Sequence, residues 1–144
     1  MNVSNIKLIV VGHGKFASGL QSSLKLFIGK QEEHNFIDFT KEMSEIDLQE
    51  KISAQVGKEE TVIFTDMLGG TPYKEAAKIA YDNENVGVVS GCNLSSLLET
   101  TYKKYTSKEA LMQDLVNITK ETAQVFDKND LNDESDENDF SDGI

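Results

Sequence analysis

Four short runs rich in β-branched and aromatic residues alternate along this chain with segments whose apolar residues recur at helical spacing. The runs are Ile6-Lys7-Leu8-Ile9-Val10-Val11, Asn35-Phe36-Ile37-Asp38-Phe39, Thr61-Val62-Ile63-Phe64 and Asn85-Val86-Gly87-Val88-Val89. Strands separated by helix-length connections pair as a parallel sheet with helices on its faces. The first and third runs are nearly continuous apolar stretches, as central strands covered on both sides must be. The expected fold is α/β: a doubly wound, mainly parallel four-stranded sheet in the order 2-1-3-4.

The helices announce their ends. Phe16, Leu20, Leu24 and Phe27 or Ile28 form one apolar stripe, with Gly29 placed to stop it. Ser44 and Asp47 resemble a capping box ahead of Leu48, Ile52 and Val56, with Gly57 as the stop. Thr71 and Pro72 suit the N-cap and first turn of a helix carrying Ala76, Ala77, Ile79 and Ala80. Asn93 caps a segment through Leu94, Leu97 and Leu98, and Thr106 with Glu109 caps another through Leu111, Leu115 and Ile118.

A chain of 144 residues accommodates one ordinary domain. Of its net charge of −11, residues 127–144 carry −7. That tail has little to bury, so the domain is expected to span residues 1–126 and to be followed by an acidic, disordered tail. The acidic balance argues against a nucleic-acid partner. No apolar stretch is long enough for membrane insertion and the N-terminus has no signal-peptide layout, so a cytoplasmic location is expected. The single cysteine, Cys92, cannot form an internal disulfide and reads as a small filler residue. Arginine is absent, so a bound phosphoryl group would be held by amides, hydroxyls or lysine.

Two segments lie where strands should run out: Gly12-His13-Gly14 after the first, and Thr65-Asp66-Met67-Leu68-Gly69-Gly70-Thr71-Pro72 after the third. In a 2-1-3-4 sheet the connections leaving strands 1 and 3 turn to opposite faces and open a crevice between them. His13 and Asp66 are therefore expected to be neighbours in space. A carboxylate accepting from one imidazole nitrogen fixes the tautomer and frees the other nitrogen as a nucleophile. Amides at the start of the helix after His13, including Gly14, and those of Gly69, Gly70 and Thr71 would favour an anion there. A nucleophilic imidazole beside an anion site suggests phosphoryl transfer.

Other readings of these residues are weaker. His34 sits in the polar connection Glu32-Glu33-His34-Asn35 and reads as structural or solvent-exposed. The histidines and acids do not show the spacing of a metal-ligand set, so neither metal nor cofactor is expected. Gly12-His13-Gly14-Lys15 lacks the glycine-rich span of a P-loop.

The three segments Ile9-Val10-Val11-Gly12-His13-Gly14-Lys15-Phe16-Ala17-Ser18-Gly19-Leu20, Thr65 to Pro72, and Ser90-Gly91-Cys92-Asn93-Leu94 with Leu97-Leu98-Glu99-Thr100 resemble the enzyme IIA component of the mannose-type bacterial sugar phosphotransferase system. The likeness runs in order over roughly residues 6–126. It implies that His13 takes a phosphoryl group from the phosphocarrier protein HPr and passes it to the IIB component of a sugar permease, here on a separate chain. It also implies that Asp66 orients the ring so that Nε2 carries the phosphate, with the Thr71 hydroxyl near the phosphoryl oxygens. Met67 and Leu68, apolar residues on the loop beside the nucleophile, suit either contact with a protein partner or simple packing of the loop. The resemblance further implies a homodimer that exchanges an edge strand near the C-terminus, for which Thr122-Ala123-Gln124-Val125-Phe126 is the candidate; the residues alone would as readily extend the preceding helix. Lys74 departs from the small or amide residue usual in the family and alters the rim of the site. Gly12 and Gly14 favour the sugar-transport branch over the one serving dihydroxyacetone kinases, which usually has serine on either side of the histidine.

Two alternatives use the same crevice: a non-catalytic anion-binding or regulatory module, and a hydrolase working through phosphohistidine. The hydrolase would need a general acid and several basic residues around the phosphate, which a chain without arginine supplies poorly.

Overall fold

A computed structural model describes residues 6–29 and 34–132. The elements alternate in chain order: β1 (Lys7–His13), α1 (Phe16–Leu24), β2 (His34–Phe39), α2 (Glu45–Ser53), β3 (Thr61–Thr65), α3 (Thr71–Tyr81), β4 (Val86–Ser90), α4 (Leu94–Thr101) and α5 (Lys108–Thr122), with a short 3₁₀ turn at Lys128–Asn132. All strand pairs are parallel and the order is β2-β1-β3-β4, as the alternation of the sequence required.

Period-two alternation divides the core into two layers. Leu8, Val10, Val62, Phe64 and Val89 face α1, α4 and α5 and pack with Ala17, Leu24, Leu97, Leu111 and Leu115. Ile9, Val11, Ile37, Ile63 and Val86 face α2 and α3 and pack with Leu48, Ile52, Ala76 and Ile79. Every residue of β3 is buried, the signature of a central parallel strand. Fully burying a Leu or Ile side chain is worth about 1.5–3 kcal/mol, so these two layers dominate the stability of the fold.

Register brings the strand ends level: His13 pairs with Phe39, Val11 with Thr65, and Thr65 with Ser90. The N–H of Asp66 donates to Val11 O at 3.2 Å, and that of Cys92 to Thr65 O at 2.9 Å, so the loops after β1, β3 and β4 start from one rim.

Several local expectations shift. β1 runs through His13, two residues further than the apolar run. β2 begins at His34, which places that histidine in the sheet instead of in a polar connection. α1 ends at Leu24 rather than at Gly29, and its C-cap N–H already closes back on Gln21 and Ser23; Leu26 and Phe27 lie exposed beyond it. The N-cap of α3 is Gly70, which displaces Thr71 and Pro72 to the first two helical positions, where the missing N–H of proline costs nothing. α5 is capped by Ser107 rather than Thr106, its hydroxyl accepting from Ala110 N–H at 3.1 Å. The Ser44–Asp47 capping box and the Asn93 cap form as read.

Helix α5 extends to Thr122, and residues 123–126 join no strand of this chain. Residues 123–131 are exposed. The rest of the acidic tail, 133–144, lies outside the described residues.

Candidate active site

His13 is the last residue of β1 and Asp66 the first after β3, so the two adjacent central strands aim them at one another. His13 Nδ1 lies 2.6 Å from Asp66 Oδ2, and the same oxygen accepts the His13 backbone N–H at 2.9 Å. The other oxygen, Oδ1, accepts the Met67 N–H at 2.9 Å. With both oxygens engaged by N–H donors, the carboxylate is fixed in position. The histidine side chain is 44 % exposed and the aspartate 11 %, so the imidazole stands at the surface on a largely buried support. An acceptor at Nδ1 selects the tautomer protonated there and leaves the Nε2 lone pair free.

Two contacts shape the ring's surroundings. Phe39, paired with His13 across the sheet, meets the imidazole edge to face at 6.0 Å between centroids. Gly70 lies on another side: a Cβ built there would come within 2.8 Å of His13 Cε1 and 3.4 Å of Nε2. The start of α3 thus lies beside the Cε1–Nε2 edge of the ring.

The two helix termini beside the ring differ. At α1, Asp38 of β2 accepts the Ser18 N–H at 2.9 Å and the Ser18 hydroxyl at 2.6 Å. A carboxylate already occupies that terminus. Gly14, exposed with φ +58°, donates its N–H to Phe39 O at 2.9 Å. Its part is therefore the left-handed turn out of β1, and the expected anion contact from its amide is corrected. At α3, among the described residues, no hydrogen bond engages the N–H groups of Gly69, Gly70 or Thr71. Gly69 supports this turn with φ +81°, and the Thr71 side chain is half-buried beside it. Unengaged amides at a helix N-terminus favour an anion, so α3 rather than α1 supplies the positive end.

Met67 and Leu68 form the outer lip of this loop, 54 % and 71 % exposed. Cys92 is buried behind it; burial, and then the Asp66 charge, pushes its thiol well above the usual range, which makes it unreactive. His34 lies at the opposite end of the sheet from the crevice, at the start of β2, and burial lowers its pKa. Among the described residues no cluster of three His, Cys, Asp or Glu side chains is arranged to hold a metal ion. No described helix is long and apolar enough to cross a membrane.

Asp38 is the residue that the sequence reading passed over. Its signal was a carboxylate inside an otherwise apolar strand end, Phe36-Ile37-Asp38-Phe39, opposite a serine in the first turn of the preceding helix.

Comparison with known proteins supplies the family context. Residues 7–119 match the EIIA-man family, described as the PTS system fructose IIA component. The mannose-specific EIIAB component of the phosphotransferase system of Escherichia coli (strain K12) is 31 % identical over 123 residues; the match covers 83 % of this chain and 38 % of that one. This chain therefore corresponds to well under half the length of that relative. The fructose-specific EIIA component of Bacillus subtilis (strain 168) is 29 % identical over 125 residues, covering 83 % of this chain and 86 % of that protein. Among solved structures, phosphotransferase system component EIIA from Streptococcus agalactiae superposes with a TM-score of 0.76 at 31 % identity, covering 85 % of this chain and 96 % of the other.

Proposed function

The chain belongs to the EIIA-man family of phosphotransferase-system IIA components, proteins of sugar phosphotransfer, and from that premise we propose that His13 is its phosphoryl carrier, loaded by the phosphocarrier protein HPr and unloaded by a IIB component on a separate chain. The observation that carries this reading is the 2.6 Å contact between His13 Nδ1 and Asp66 Oδ2, with Gly70 at the start of α3 lying beside the Cε1–Nε2 edge of the ring.

The chemistry follows from these atoms. The Nε2 lone pair attacks the donor's phosphorus in line, the donor N–P bond breaks, and its electron pair stays on the donor nitrogen. The proton on Nδ1 does not leave. The phosphorylated ring therefore carries a positive charge, which the Asp66 carboxylate stabilises at hydrogen-bond distance. The Gly69, Gly70 and Thr71 amides and the Thr71 hydroxyl receive the phosphoryl oxygens. Transfer to IIB is the same step reversed onto a new nucleophile. Met67 and Leu68 give both partners an apolar lip to dock against, in turn.

The proposed carrier works in the cytoplasm as a homodimer. Beside the open edge of β4 runs a groove of about 610 Å³, lined by Tyr73, Val88, Val89, Met112 and Val116 among others. An extended segment of a second copy, residues 123–126, suits that edge; its Val125 is 93 % exposed in the single chain.

Incubation with HPr, its kinase and labelled phosphoenolpyruvate tests the reading. Stable, acid-labile label on the protein is expected, lost in His13→Gln and kept in His34→Gln. Label that survives in the His13 variant overturns the assignment. Release of free phosphate would point to a hydrolase, and no label at all to a non-catalytic anion-binding module.

A further inference from the structure

The site described so far is short of positive charge. Asp66 holds the ring and Asp38 occupies the start of α1, so two carboxylates border a crevice that must receive a doubly charged group, in a chain without arginine. Lysine is the remaining source of charge, and position singles out one.

Lys74 is four residues beyond Gly70, and its N–H donates to Gly70 O at 2.9 Å, the first closed turn of α3. It therefore leaves the helix above the glycine that abuts His13 Cε1 and Nε2. Side chains on a helix tilt toward its N-terminus, and an extended lysine spans about one helical pitch of about 5.4 Å. Both effects carry the Lys74 ammonium back toward the phosphoryl position. Lys74 is exposed, and among the described residues no hydrogen bond or ion pair engages its ammonium. Lys78, one turn further along, is by contrast tied to the buried Glu75 at 3.0 Å. Lys15 is the N-cap of α1, the terminus at which Asp38 binds Ser18, and not part of the α3 turn that lies beside the Cε1–Nε2 edge of the ring.

We propose that the Lys74 ammonium contacts the phosphoryl oxygens on Nε2 of His13 and is the cation that makes up for the missing arginine; this rests on the reading of His13 above. A lysine is a mobile, strongly hydrated point charge with no fixed fork geometry. It lowers the energy of the bound dianion without clamping it, as a group that must be handed on requires.

The test uses the full chain, phosphorylated on His13 either through HPr or with phosphoramidate, a small donor whose N–P bond breaks to release ammonia. The purified phosphoprotein is titrated by phosphorus-31 NMR. A unit charge in contact, about 4 Å away, in a water-like medium shifts an ionisation by about 0.7 pH unit. Lys74→Gln should raise the last phosphoryl ionisation by about that much, Lys74→Arg should keep it near the starting value, and Lys51→Gln, which removes the same charge from the last turn of α2, should leave it unmoved. A Lys74→Gln phosphoprotein that titrates with the parent overturns the proposal, and so does an equal shift in Lys51→Gln. If the parent protein takes no phosphoryl group from either donor, the reading of His13 has failed first and this inference falls with it.

Discussion

Gly70 tests the geometry without touching a polar atom. Its backbone is extended, φ −74° and ψ 170°, so alanine is allowed there, yet the added methyl would stand 2.8 Å from His13 Cε1. The ring must turn or the loop must move. Displacing a reacting group by about 1 Å costs on the order of 10²-fold, so Gly70→Ala should lower the rate of phosphoryl acceptance by about that factor while the melting temperature barely changes. Single-turnover labelling beside a thermal melt separates the two. Asp66→Asn makes the complementary change: it keeps the shape and removes the charge facing Nδ1, and transfer should slow by about 10³–10⁴-fold in a folded protein. His34 gives the pH dependence. Burial lowers its pKa from 6.5, so the folded chain binds fewer protons than the unfolded one below that value. Stability should be full at pH 8 and fall as the pH drops through 6.5 toward the lowered value. Urea unfolding of His34→Gln should show a smaller loss over the same window.

Among the elements, the strands were legible because a buried parallel strand has almost no freedom of composition: β3 is apolar or threonine throughout and wholly buried. The helix ends were less so. Caps are chosen among neighbouring small polar residues by φ and ψ, which sequence shows poorly; hence Gly70 in place of Thr71 and Ser107 in place of Thr106. His13 and Asp66 could be paired before any coordinates because topology alone brings the ends of strands 1 and 3 together. Asp38 could not, since its role depends on the register that sets β2 beside β1 and on Ser18 facing it. The Asp38–Ser18 contact joins α1 to β2 beside His13. Asp38→Ala leaves the Ser18 N–H unpaired and its hydroxyl with only the longer 3.3 Å bond to Lys15 O, and should destabilise the fold by about 1–3 kcal/mol in denaturant titration. Ser18→Ala, which removes only the hydroxyl, should cost less.

At the scale of the whole molecule, the sheet carries the proposed site at its carboxyl ends, and β4 is the edge strand at which the proposed second copy would dock. The acidic segment 127–144 adds −7 and only three sizeable apolar residues, Leu131, Phe140 and Ile144. Its described part, residues 127–131, is exposed and so adds little burial to the domain. Truncation after Phe126 should leave melting temperature, dimerisation and phosphoryl acceptance nearly unchanged. Truncation after Thr122 should abolish the dimer in sedimentation equilibrium. The central claim, that the phosphoryl group resides on Nε2 of His13 while Nδ1 keeps its proton for Asp66, is tested most directly by nitrogen-15 NMR of the ring in the phosphorylated protein. One phosphorus-coupled nitrogen is expected, Nε2 of His13, with Nδ1 protonated. Phosphorus coupling at Nδ1, or at any nitrogen of His34, would contradict it.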